Sequence, residues 1–359
     1  MFLHNKKKPD LDPNKINKIC VFCWGRLGDV FIRIPIIEAL KDKYPDANIT
    51  VVTDPGSARA IGPACTRYKV FPFRRLSKFS LKFVLITIQN IHILRKQNFD
   101  LSVDLYGGGS SPFICRLTAA RIRLAFDHRP KLRAANNLLA PYPTTNEHWT
   151  LAIGSMLALL GINTSNIKTD TTYYCDDTSR IKVASYFTNN KTRHIGINLG
   201  ASSLDKAWPT DNYVSLLSKI SERIDITPVV FFNPGQEDIS EQFISLYHEP
   251  CISLKGLGFE LEAAALEQCD ILLTADTALM HLATGVKTPV FAFFLQTRPE
   301  YVKPAVNPFF ACMIEDTGKK PVNGLLPVVN NIPVKKALDD FINFTSDRLQ
   351  WAYSTDQTR

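Results

Sequence analysis

Ile19-Cys20-Val21-Phe22-Cys23-Trp24-Gly25-Arg26-Leu27-Gly28-Asp29-Val30 is the stretch that decides the fold. Six apolar residues in a row read as a short buried strand. Two glycines then interrupt the run, and an apolar-periodic segment continues from Val30 to Lys43. That is strand, glycine turn and helix, the opening half of a βαβ unit.

Working outward, Pro45-Asp46-Ala47 breaks the helix, and Ile49-Thr50-Val51-Val52-Thr53 is a second strand rich in β-branched residues. The pattern Phe83, Ile86, Ile91, Leu94 within 79–96 predicts an amphipathic helix packed on those four side chains. Lys82, Gln89, Asn90 and His92 argue against a membrane span there. Leu101–Leu105 is a third strand, ending in Gly107-Gly108-Gly109-Ser110-Ser111 before a helix-like stretch. The cycle restarts near residue 190. Strands are expected at His194–Leu199, Thr227–Phe232, Asp270–Thr274 and Pro289–Phe294, with helices at Tyr213–Ile224, Glu260–Gln268 and Ala278–Thr284. Strands alternating with helices imply parallel sheets. The chain therefore reads as two doubly wound α/β domains, 18–178 and 190–345, with a flexible basic arm (1–17) and a C-terminal tail (346–359). In such sheets ligands bind at the carboxyl ends of the strands, so two facing domains predict a cleft site.

The 359 residues are 45% hydrophobic and 21% charged, ordinary for a globular protein. No uninterrupted apolar run of membrane length and no secretory signal is visible, which points to the cytoplasm. The eight cysteines are scattered. Cys20 and Cys23 form one C-x-x-C inside an apolar run, half a zinc site at most, and read as buried thiols. No D-x-D or histidine cluster suggests a metal. Residues 1–175 hold 25 Lys/Arg against 12 Asp/Glu, whereas 176–359 hold 17 against 22. The first half therefore fits an anionic partner, or simply a solubilising surface.

Three turns concentrate the chemistry. Ala275-Asp276-Thr277-Ala278-Leu279-Met280-His281 opens a helix whose first N–H groups form a ready anion site. Asp276 and Thr277 fit capping of that helix equally well. Lys206, upstream of Ala207-Trp208-Pro209, fits either a solvated surface lysine or a cation that meets phosphate charge on a leaving group. Asp29 fits a favourable first-turn acid, the reading preferred from the residues alone, or a carboxylate that removes an acceptor proton. Gly25-Arg26-Leu27-Gly28 lacks the spacing of a dinucleotide fingerprint.

In order and spacing these turns resemble the lipopolysaccharide heptosyltransferases, glycosyltransferase family nine, over roughly 18–345. The resemblance is carried by Gly25–Val30 with Pro35 and Tyr44-Pro45-Asp46-Ala47, by Val103-Asp104-Leu105 with Arg116–Arg121, by Asn198-Leu199-Gly200-Ala201 with Lys206–Pro209, and by Asp276–Ala283 with Lys287–Val290. It implies a GT-B fold with an inter-domain cleft and an inverting, metal-independent transfer of heptose from ADP-heptose to a lipopolysaccharide inner-core acceptor. No other cofactor is implied. Asp29 becomes the catalytic base. Ser202, Lys206, Glu237, Asp276, Thr277, Ala278, Leu279 and His281 become donor contacts, with a packed histidine equally open at His281. Arg26, Gly28, Arg74, Arg75 and Arg129 become acceptor contacts. Ala278 stands where the family carries glycine, which is harmless if that backbone is an ordinary helix start.

The basic clusters Arg67, Lys69, Arg74, Arg75, Lys78, Lys82 and Arg116, Arg121, Arg123, Arg129, Lys131, Arg133 would suit an anionic glycolipid or the anionic inner leaflet of the cytoplasmic membrane. No nucleic acid and no obligate protein partner is expected. Transfer of another nucleotide sugar to another surface glycan, a nucleotide-sugar epimerase of the same fold, a nucleic-acid binder and a lapsed binding-only relative remain as alternatives.

Overall fold

The computed structural model describes residues 9–74, 81–143, 147–188, 191–201, 206–295, 297–314 and 332–353, with backbone alone for 81–83. The chain divides into two compact units, 1–171 and 172–359. Each is built on one six-stranded parallel sheet.

In the first unit β1 (Lys18–Phe22) leads through the glycine turn to α1 (Leu27–Lys43) and β2 (Asn48–Thr53). Then follow β3 (Lys69–Pro72), α2 (Leu81–Lys96), β4 (Leu101–Asp104), α3 (Ser111–Leu117), β5 (Ile122–Phe126), α4 (Pro130–Ala135), β6 (Leu138–Ala140) and α5 (Trp149–Gly154). The strand order is β3-β2-β1-β4-β5-β6. The chain winds outward from β1, then returns to β4 and winds the other way. Binding crevices in such sheets form at this reversal, outside the carboxyl ends of the two central strands. Phe22, Trp24, Val52, Phe73, Leu94 and Phe99 share one core cluster of this unit.

The second unit opens on α6 (Asp177–Ala184) and repeats the plan. It continues with β7 (Arg193–Asn198), α7 (Thr210–Ser221), β8 (Ile226–Val230), α8 (Glu237–Leu246), β9 (Ile252–Ser253) and α9 (Phe259–Leu266). The remaining elements are β10 (Ile271–Ala275), α10 (Ala278–Gly285), β11 (Val290–Phe293), β12 (Phe309–Cys312) and α11 (Val334–Leu349). The order β12-β11-β10-β7-β8-β9 places the reversal between β7 and β10. Thr274 of β10 stands beside Asn198 of β7 in that register.

Every strand and helix bounded in the sequence reading is present, with ends shifted by a few residues. That reading did not name β3, β5, β6, β9 or β12.

The basic arm differs from its expectation over its described part. Arg121 donates to the carbonyls of Asp10 and Lys15, Ile16 is buried, and Asn48 N–H donates to Asn17. Residues 10–17 are therefore tied to the amino ends of β2 and β5. The C-terminal tail is also partly structural, since α11 runs to Leu349 and Trp351 is buried in the second core. Cys20 and Cys23 are buried, and burial pushes the Cys23 thiol up to about 11. Among the described residues no His/Cys/Asp/Glu group has metal-binding geometry.

Candidate active site

The second unit's site is assembled around Asn198, the last residue of β7 and fully buried. Its Nδ2 donates to Thr274 Oγ1 at 2.9 Å and to Thr277 Oγ1 at 3.0 Å. Its Oδ1 accepts from Asn233 Nδ2 at 2.6 Å. One buried amide thus ties the ends of β7 and β10 and the turn after β8. Gly200 is needed beside this knot, because a Cβ there would sit 2.2 Å from Asn233 Nδ2.

These bonds bear on the capping reading of the turn before α10. Thr277 is the N-cap residue, with extended backbone (φ −135°, ψ 170°), yet its side chain makes no capping bond. Its hydroxyl is taken by Asn198 and by Thr274 at 3.1 Å. Asp276 does not cap either, and its carboxylate faces Lys206 Nζ at 3.7 Å. The two side chains placed to satisfy the first N–H groups of α10 are committed elsewhere, so neither caps the helix. Ala278 is helical and absent from the positive-φ residues, so alanine carries no strain where the family has glycine.

Lys206 is not a free surface lysine. Its ammonium donates to Thr297 Oγ1 at 3.3 Å and pairs with Asp276, and its side chain is 23% exposed. The anchor is two residues on. Trp208 is 1% exposed, stacks on Phe293 at 4.1 Å, and donates from Nε1 to the Ile332 carbonyl at 3.0 Å. Trp208→Ala is expected to cost about 3–5 kcal/mol of stability, read by urea unfolding, because it empties a stacked core position and orphans a carbonyl.

The other donor candidates are distributed as follows. Glu237 is exposed at the start of α8, where its Oε1 accepts the Gly235 N–H at 3.0 Å. That bond is the main cause holding its carboxyl below the usual range. His281 and Leu279 are each 8% exposed. Ser202 lies outside the described residues.

In the first unit Gly25 has φ +145°, and a Cβ there would lie 2.7 Å from Asp29 Cβ. Only glycine lets the chain turn this close to the helix start. Ser57 Oγ donates to the Gly25 carbonyl at 2.8 Å, and Arg33, one turn beyond Asp29, donates to the Trp24 carbonyl. Asp29 Oδ2 accepts the Arg26 N–H at 2.8 Å. The first-turn role expected from the residues alone is therefore real, and it engages one carboxylate oxygen. At the neighbouring strand end, Asp104 accepts from Tyr106 N–H, Gly107 N–H and Ser111 Oγ. Burial pushes its carboxyl up against those three bonds. Asp104 thereby shapes the glycine turn after β4.

Five of the twelve residues in the basic clusters have structural partners. Arg67 pairs with Glu38 and Asp42, each at 2.6 Å, and Arg133 pairs with Asp127. Arg116 and Arg123 donate to main-chain carbonyls around α3 and α4, and Arg121 holds the N-terminal arm. Arg26, Arg74 and Arg129 are exposed and make no ion pair among the described residues, and Gly28 is half-buried in the first turn of α1. Arg75 lies outside the described residues. Sequence reasoning gave no role to Asn198, Asn233, Thr274 or Thr297. The one available signal was a carboxamide closing the apolar strand Ile195-Gly196-Ile197-Asn198, because a buried polar side chain requires partners.

The model of glycosyltransferase family 9 (heptosyltransferase) matches residues 88–323. Lipopolysaccharide heptosyltransferase 3 of Escherichia coli K12 is 22% identical over 283 residues, 77% of this chain and 82% of that protein. The glycosyl transferase family 9 structure from Veillonella parvula superposes with a TM-score of 0.79 at 16% identity, covering 93% of this chain and 99% of that one. The Escherichia coli ADP-heptose lps heptosyltransferase II structure gives 0.73 at 17% identity, covering 92% and 99%. The fold is accordingly GT-B. With its family's model matched over most of its length and both sheets built to that plan, the chain belongs to glycosyltransferase family 9, the heptosyltransferases, and is a glycosyltransferase.

Proposed function

We propose that the protein transfers heptose from ADP-heptose to an inner-core lipopolysaccharide acceptor, with inversion and without a metal ion. The observation that carries this reading is the uncapped start of α10 beside Lys206. A departing diphosphate develops negative charge, and preorganised N–H groups and an ammonium stabilise it where it forms. Those groups supply what a divalent ion would otherwise supply. Lys206 meets the diphosphate, the backbone of Thr277, Ala278 and Leu279 holds its oxygens, and Asp276 orients Lys206 and the donor sugar. Ser202, Glu237 and His281 complete the donor contacts. Asp29 takes the acceptor hydroxyl's proton through the carboxylate oxygen that Arg26 leaves free, in a single in-line displacement. Gly28, Arg26, Arg74, Arg75 and Arg129 serve the acceptor.

Relatives support the choice of sugar. An Escherichia coli heptosyltransferase WaaC structure, superposing with a TM-score of 0.66 at 17% identity and covering 82% of this chain and 92% of that one, holds ADP-2-deoxy-2-fluoro heptose. The acceptor is a glycolipid, so the enzyme works at the inner face of the cytoplasmic membrane as a peripheral protein. Among the described residues no helix is long and apolar enough to cross a membrane.

A thermal-shift titration with ADP, GDP, UDP and their sugars tests the donor. At a ligand concentration about 100 times Kd, the cognate nucleotide contributes about 2.7 kcal/mol of stability through linkage. Selective stabilisation by ADP and ADP-heptose is expected. Selectivity for UDP or GDP would keep the reaction class and remove heptose.

A further inference from the structure

We infer that α2 docks the first unit onto an anionic lipid bilayer through its exposed aliphatic side chains. One side of this helix belongs to the core, where Leu94 is fully buried with Ile91 packed beside it. On the outward side Leu85 (59% exposed) and Ile88 (58%) lie along one flank and Ile86 and Ile93, also exposed, along the other, with the exposed Gln89 and His92 between them. The sequence reading had placed Ile86 inward. A helix with apolar residues on several sides does not reveal by its period which of them meets the core. The adjacent α3, which packs against α2, exposes Phe113 at 63%. Four large aliphatic side chains on one exposed helix mark an interaction surface rather than the scattered apolar residues of an ordinary protein exterior.

Charge identifies the occupant. Residues 55–99 contain nine Lys/Arg and no Asp/Glu, and of these Arg67 is already paired with Glu38 and Asp42. Arg95 and Lys96 are exposed at the end of α2, and Arg74 is exposed before it. Aliphatic side chains flanked by cations of a single sign are the composition of a helix lying in the interface of an anionic membrane. A neutral protein groove would leave that charge unanswered. This surface adds to the proposed function by naming the element that meets the membrane carrying a glycolipid acceptor, and its test needs no donor.

The full chain is sedimented with vesicles of phosphatidylethanolamine and phosphatidylglycerol, and separately with phosphatidylcholine vesicles. Binding to the anionic vesicles, weakened by salt, is expected. Leu85→Glu/Ile88→Glu should lower partitioning by at least about tenfold, since each apolar side chain loses its burial. Ile86→Glu/Ile93→Glu is the second variant, and circular dichroism confirms folding of both. Equal vesicle binding by wild type and both variants overturns the proposal. So does a wild-type dimer that the variants dissociate without any vesicle binding, because a second copy then covers the face. Transfer to a water-soluble acceptor fragment separates the two readings. Transfer without helix-dependent vesicle binding overturns docking alone, and helix-dependent binding without transfer upholds docking and overturns the proposed donor and acceptor.

Discussion

Asp29→Asn is expected to lower turnover by about 10²- to 10⁴-fold, the range for loss of a positioned general base. The choice of asparagine matters because Asp29 has two roles to separate. Its Oδ2 accepts the Arg26 N–H at 2.8 Å and steadies the start of α1. An asparagine carbonyl accepts the same bond, so the helix start survives while the base is removed. The lost interaction of a carboxylate with the helix terminus should cost only about 0.3–1 kcal/mol. Asp29→Ala removes both functions and should add a further loss of stability. Steady-state kinetics with a soluble acceptor, read beside the unfolding midpoint, distinguishes the roles. Near-full turnover by Asp29→Asn, with instability confined to Asp29→Ala, would leave Asp29 as a helix-start residue only.

Lys206→Ala should reduce kcat/KM by about 10²- to 10³-fold, comparable to removing one preorganised donor from a charge-stabilising site. The ammonium is held in advance by Thr297 and by Asp276. It therefore need not be ordered when the diphosphate departs. If it meets charge that grows in the transition state, kcat falls more than KM rises. A rise in KM alone, with the ADP thermal shift reduced in proportion, would make Lys206 a ground-state contact. An unchanged kcat/KM would return it to the bland reading of a paired lysine. Asp276→Asn should keep the fold and weaken the hold on Lys206, with a smaller loss of rate.

The α/β class, the tandem doubly wound plan and the turns at the strand ends are legible in the residues alone. Those features are local. The apolar run Ile19–Trp24, the glycines at 25 and 28 and the periodic helix after them follow from side-chain spacing and backbone freedom. Motif order also located Lys206, Asp276 and Asp29, because each sits a fixed distance from a strand end. Only the tertiary structure decided what those residues touch. Thr277 looks like a capping residue in sequence, and it fails to cap because Asn198, 79 positions away, takes its hydroxyl. Lys206 looks solvated, and Thr297, 91 positions away, holds it. Arg67, Arg116, Arg121 and Arg123 look like an anion surface and are occupied by carboxylates and carbonyls distant in the chain. Conversely, Ile86 reads as core and faces outward. Spacing fixes which residues share a face, but hydrogen-bond partners and burial depend on what the folded chain brings alongside.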